Sequence, residues 1–276
     1  MNKILCSLVI AGFILFFQGC TKDADVKLPV VDSKLVINAF ISPQDSIIKV
    51  MVSLSQPLYN NSNSGLYPNV ENATVQINDG VNSITLIYNS ADNYYSINAS
   101  QFPIVAGGIY NLTVYTPDGK NVNASTSVPA TNSSLSFSAN NINDPNQPET
   151  YTIYATWNDS PGIEDYYRIN YYSKQFYDGD IDTSYYSQFS EHYTDKENDG
   201  KTFNQHFEVY KMNSTGSAGE LYLIRATKEY YLYHTKLMEA INSGGPFSEP
   251  VQMFTNINGG HGIFAGFNQY KLQVFL

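Results

Sequence analysis

Cysteine is nearly absent. The 276-residue chain has two, Cys6 and Cys20, and both lie in its first twenty residues. No disulfide can staple residues 21–276, so the body must rest on core packing. Charge is scarce as well, at 14% of residues. What charge there is leans acidic, 25 Asp and Glu against 15 Lys and Arg, for a formal net charge of −10. That balance argues against nucleic acid and against adsorption on anionic lipid. The long apolar run Ile4 to Phe17 is too short to span a bilayer, which needs about 20 residues. A nucleophile elbow, a phosphate loop and a zinc-binding helix motif are also missing. These absences predict no enzyme: no catalytic residue, no metal and no cofactor.

What is present begins with Lys3, a positive residue ahead of the apolar run. Phe17-Gln18-Gly19-Cys20 comes next, a small residue before a cysteine. This is the layout of a secretory signal. A bacterial lipobox reads Leu, a small residue, Gly or Ala, then Cys, so Phe17 and Gln18 depart from it. We expect residues 1–19 to be a signal peptide, Cys20 to carry lipid, and 20–33 to be the lipidated tether. Removing the signal leaves 276 − 19 = 257 residues and, with Lys3 gone, a net charge of −11. Lys22, Asp23 and Asp25 resemble the surface-export signal of Bacteroidota lipoproteins; the other reading of this stretch is a solvated spacer.

Residues 34–130 alternate at period two, the mark of strands buried on one side. Leu35, Ile37, Ala39 and Ile41 share a face, as do Ile48, Val50, Val52 and Leu54. Asn78-Asp79-Gly80 and Pro117-Asp118-Gly119 are turn signals. About seven short strands predict an immunoglobulin-like or transthyretin-like β-sandwich. The loop from Gln56 to Asn72 is long and rich in Asn and Ser, as functional or mobile loops are. Val128 to Asn132 reads as a boundary.

Residues 131–276 predict a second β-rich domain. Most of the 23 Tyr lie between Tyr151 and Tyr233. Tyr151, Ile153, Ala155 and Trp157 alternate on one strand, and Tyr167, Ile169 and Tyr171 on the next. A buried Trp against a Tyr-rich strand resembles a fibronectin type III sandwich. Residues 173–202 are polar and read as an insertion. Lys228 to Asn242 is expected to be a helix, with Tyr230, Tyr233, Leu237 and Ile241 on one face. Thr227 is its expected N-cap, and Ser243-Gly244-Gly245-Pro246 stops it. Tyr270 to Leu276 should close a sheet. The fold class is therefore mainly β with one helix.

Candidate chemistry is thin. Asp178, Asp180 and Asp182 are spaced as in a calcium loop, but Thr183 and Phe189 stand where an EF-hand needs Gly and Glu. His192, His206, His234 and His261 have no metal-ligand spacing. The tyrosines suit either packing or stacking on sugar rings. Asp45-Ser46-Ile47 resembles a Bacteroidota O-glycosylation acceptor.

Gly245-Pro246-Phe247-Ser248-Glu249-Pro250, followed by Asn256-Ile257-Asn258-Gly259-Gly260-His261-Gly262, resembles an uncharacterised lipoprotein family of Bacteroidota. Ile41-Ser42-Pro43, Ser55-Gln56-Pro57, Ala73-Thr74-Val75 and Asp118-Gly119-Lys120 fit it too. Pro246, Phe247, Asn256, Gly259, Gly260 and Gly262 are its motif residues, structural or binding. The glycines suit a place where the backbone takes positive φ and two elements approach closely. The resemblance implies an outer-membrane lipoprotein, at the cell surface or on the periplasmic face. Its implied role is as an accessory to a TonB-dependent receptor in nutrient import. The alternative is a glycan-binding or adhesive module. The expected partners are the outer membrane through Cys20, a receptor, and a glycan or other small ligand.

Overall fold

Hydrophobic alternation sets the first seven strands. In β1 (Leu35–Ile41) and β2 (Ile47–Leu54), every second side chain from Leu35 to Ile41 and from Ile48 to Val52 is buried. β3 (Thr74–Asn78), β4 (Ser83–Asn89), β5 (Tyr94–Asn98), β6 (Ile109–Tyr115) and β7 (Asn121–Ser127) continue the pattern. The computed structural model describes residues 32–56, 68–130, 135–142, 144–146, 149–176, 183–211, 218–243 and 251–276. Cys20, Lys22, Asp23, Asp25, Asp178, Asp180, Asp182, Pro246 and Phe247 lie outside the described residues, as does most of the 56–72 loop.

β4 changes partners midway. Ile84 and Leu86 pair with β3, whereas Ile87 to Asn89 pair with β5. The chain thereby passes from one layer to the other, and the two layers enclose a core of Ile37, Ile48, Val50, Ile77, Leu112 and their neighbours. The far strand, β7, returns against the chain's last strand. Asn123 and Asn258 exchange backbone hydrogen bonds, and Gly266 N donates to Thr126 Oγ1 at 2.9 Å.

The second half sets large aromatic rings among its aliphatics. β8 (Ser136–Asn141), β9 (Thr150–Asn158) and β12 (Thr202–Tyr210) form a three-stranded sheet. β10 (Tyr166–Phe176), β11 (Thr183–Thr194), β13 (Ala218–Ala226) and β14 (His261–Phe275) lie in the opposing layer. Between them Trp157, fully buried, stacks on Phe203 at 4.8 Å and meets Tyr167 edge-on at 5.8 Å. The protein is mainly β and built as sandwiches.

Three expectations need correction. Residues 173–202 are no insertion: β10 runs to Phe176, and β11 pairs back along it. Aromatic rings hide its core face from an aliphatic count, since Phe189 stacks on Phe207 at 4.0 Å and Tyr193 meets Trp157 at 5.6 Å. β14 begins at His261, nine residues before the expected Tyr270. Glycines disguise its first half. Helix α1 (Lys228–Asn242) forms as expected, with Thr227 accepting from Tyr230 N. However, Ile241 is 64% exposed, so the apolar face ends before it.

β14 is the strand the architecture turns on. Residues 261–266 pair with β1 in parallel, and 267–275 pair with β13 antiparallel. One strand therefore runs through an eleven-stranded ladder that includes both halves. Residues Ser33–Leu276 form one compact unit. α1 lies over the midpoint of this strand, where Tyr230 meets Phe40 at 5.4 Å and Phe267 at 5.7 Å. Among the described residues, no helix is long and apolar enough to cross a membrane.

Candidate functional site

Among the described residues, a group of buried charges lies where β9 turns into β10 and β11 into β12. Asp159, Asp165 and Asp195 are all buried there, with carboxylate oxygens within 4.8 Å of one another. Arg225 reaches them from β13. It follows Leu221 and Leu223 on the core-facing side of that strand and donates to Asp165 from Nε at 2.8 Å and from Nη2 at 2.5 Å. Tyr167 donates to Asp159 Oδ1 at 2.7 Å, and Gly200 N donates to Asp159 Oδ2 at 2.7 Å. Asp165 N donates to Asp195 Oδ2 at 2.8 Å.

Burial pushes the Asp165 and Asp195 carboxyls above their ordinary range, and in Asp165 it outweighs the Arg225 guanidinium that works the other way. Burial, with Asp159 as acceptor, pushes the Tyr167 phenol up as well. The group offers the oxygen donors a hard cation takes. Yet the oxygens are held by a guanidinium, a phenol and backbone amides that a metal would have to displace. Its chemistry is that of a polar corner fastening two loops and a strand. The sequence carried one signal of it: an Arg in register with buried leucines requires a buried acid.

The described motif residues do come together, at the start of β14. Asn256 mimics a strand: its Nδ2 donates to Phe264 O at 2.7 Å, and its Oδ1 accepts from Phe264 N at 3.0 Å. Gly259 and Gly262 take φ of +83° and +104°. A β-carbon at Gly262 would overlap the Ile37 carbonyl, and one at Gly260 would crowd Leu35 O and Val122. These positions let β14 lie flush on β1 while β7 crosses beside it.

Two of the four histidines stand apart and two meet. His261 opens β14, and His206 stacks on Tyr154 at 6.0 Å. His192 and His234 meet between β11 and α1, with ring centroids 5.7 Å apart, a pairing that spacing along the chain gives no hint of. Asp45, in the turn before β2, is pushed up to about 6 by burial, and Ser46 beside it is exposed.

Comparison with known proteins adds a family. No curated protein matches the chain. Among solved structures, one from a cytokine receptor complex is 8% identical, covering 71% of this chain and 85% of that one at a TM-score of 0.24. Chicken CNTN1 FN1–FN3 domains are 9% identical, with 70% and 60% covered, at 0.28. A Salmonella alpha-2-macroglobulin mutant is 10% identical, with 73% and 14% covered, at 0.26. The fold stands on the strand ladders themselves. A family model does match, from residue 21 to residue 273, so the chain belongs to the DUF4249 family, a domain of unknown function.

Proposed function

We propose that the protein is an outer-membrane lipoprotein, tethered by lipid on Cys20, that acts as a non-enzymatic binding component beside a TonB-dependent receptor in nutrient import. The observation that carries this reading is the family match, which starts at residue 21, directly behind Cys20. The unit the family shares thus begins directly behind the residue we read as the anchor. Lys22, Asp23 and Asp25 suit export to the cell surface. Lipid on Cys20 would hold the body near its partner and raise local concentration. Mild detergent extraction and pull-down on the tagged protein tests the reading. A TonB-dependent receptor should co-purify, and its consistent absence would overturn the partner assignment.

A glycan-binding role is the second reading. It is favoured by exposed tyrosines on the second sandwich, Tyr154 at 45% and Tyr210 at 54%. Such faces stack on sugar rings. Selective binding on a glycan array, lost in Tyr154→Ala, would move the assignment here.

A further inference from the structure

The chain has two arginines, Arg168 and Arg225, on the paired strands β10 and β13. They are treated in opposite ways. Arg225 faces into the sandwich and is neutralised by Asp165. Arg168 projects from the other face, under α1. It donates from Nε and Nη2 to Ser190 Oγ at 3.0 and 2.9 Å, and from Nη1 to Tyr230 OH at 3.0 Å. All its acceptors are neutral hydroxyls. Among the described residues, no carboxylate pairs with it, in a chain whose net charge is −10. A guanidinium is a planar fork suited to two oxygens of a carboxylate or phosphate.

Bare acceptors and neutral imidazoles surround it. His192 is the cross-strand partner of Arg168, and its Nε2 is buried without a hydrogen-bond partner. His234 Nδ1 lies 2.9 Å from Tyr230 O. That contact makes Nδ1 the protonated nitrogen and leaves Nε2 free. Asn170 shares the face, two residues along β10; it is only 3% exposed, and its Oδ1 has no partner. Burial, then the charge of Arg168, holds His192 down at about 3. Burial likewise holds His234 at about 4. Tyr230 and Tyr231 from α1 and Tyr166 from β10 complete the surroundings. Glu191 is turned away and accepts from Tyr193, which packs on Trp157. Farther along the same face, across from Tyr172, Glu220 of β13 is buried and engaged by Tyr222, Lys271 and Gln273; among the described residues no carboxylate pairs with Arg168.

We propose that Arg168, His192, His234 and Asn170 form a binding site for a small oxyanion, a carboxylate or phosphate group. The Arg168 Nε–Nη2 fork exchanges Ser190 Oγ for two oxygens of the anion, and the Ser190 hydroxyl so released can itself donate to it. The Asn170 amide, turned about its last torsion, offers Nδ2 as a further donor. An anion beside the two imidazoles favours their protonated forms. Binding therefore takes up protons and tightens as pH falls. The site stands whether or not Cys20 carries lipid.

Imidazole NMR and calorimetric titration of the full chain with sodium phosphate and with sodium acetate test it. Saturable shifts should appear at His192 and His234 and not at His206 or His261. Tighter phosphate would mark a phosphate site and tighter acetate a carboxylate site; either supports the proposal. Affinity should rise at least about threefold from pH 8 to pH 5.5, as proton-linked binding requires. Arg168→Gln should weaken binding about tenfold or more, and Arg168→Lys by less, since it keeps the charge and loses the fork. His192→Phe should flatten the pH dependence. No saturable shift at either histidine, undiminished binding in folded Arg168→Gln, or an unchanged pH dependence in His192→Phe would overturn the proposal.

Discussion

The two halves of the body bury different things. The core of the first, around β1 to β7, is mainly aliphatic, with Tyr95, Phe102, Tyr110 and, from β14, Phe264 as its buried large rings. Its buried polar residues are Ser42 and Thr126. The second half buries Asp159, Asp165, Asp195, Glu220 and Arg225. Among the described residues, every buried polar side-chain atom without a partner is also there, on Trp157, Asn170, Tyr171 and His192. Burying charge and leaving polar atoms unpaired costs stability. Both features concentrate in the second half, while the first half has one carboxyl raised strongly by burial, that of Asp45.

The contrast can be broken most sharply at Arg225. Arg225→Met strands the Asp165 carboxylate in the core and should cost about 3–5 kcal/mol, read as a lower urea midpoint. Gly262→Ala attacks the strand both halves share, at a positive φ and against the Ile37 carbonyl. We expect a loss on the order of 3 kcal/mol and transitions of the two halves that no longer coincide by fluorescence and circular dichroism. A single coincident transition at unchanged midpoint would refute the shared-strand account.

Acid should sharpen the contrast at three groups, because His192 and His234 respond with the opposite sign to Asp45. His192 and His234 sit at about 3 and about 4 in the fold, against an ordinary 6.5. Their contribution is complete above pH 6.5 and is lost as pH falls through 4 and then 3. Allowing for the partial exposure of both rings, about 2 kcal/mol should go between pH 7 and pH 4. Unfolding of wild type and His192→Phe across that range checks it. Asp45, in the first half, runs the other way. Its carboxyl is raised from 3.8 to about 6, so its contribution is complete below pH 3.8 and lost as pH rises through 6. Asp45→Asn should therefore gain about 1 kcal/mol at pH 7 and nothing at pH 3.5.

The same division decided what was legible. Strands β1 to β7 could be read directly, because Leu35 to Ile41 and Ile48 to Val52 alternate without interruption. α1 was legible from its cap at Thr227 and its spaced tyrosines. β11 was not, since a strand whose core contacts are Phe189 and Tyr193 among Ser, Gln and Glu shows no aliphatic period. The first half of β14 was hidden too: Gly262 and Gly266 are chosen for close backbone approach, and in sequence they read as a loop. The parallel β1–β14 pair joins residues more than 220 apart, which no local pattern encodes. The Arg225 corner could be glimpsed from one misplaced charge. The meeting of His192 with His234 could not, because it depends on where α1 lands.

One measurement bears most directly on the function we assign: the mass of the N-terminal peptide of protein purified from membranes of cells that produce it. A lipid-anchored protein should give a chain that starts at Cys20 with a diacylglyceryl group in thioether linkage. A chain that starts elsewhere, or a Cys20 thiol left unmodified, would contradict that assignment.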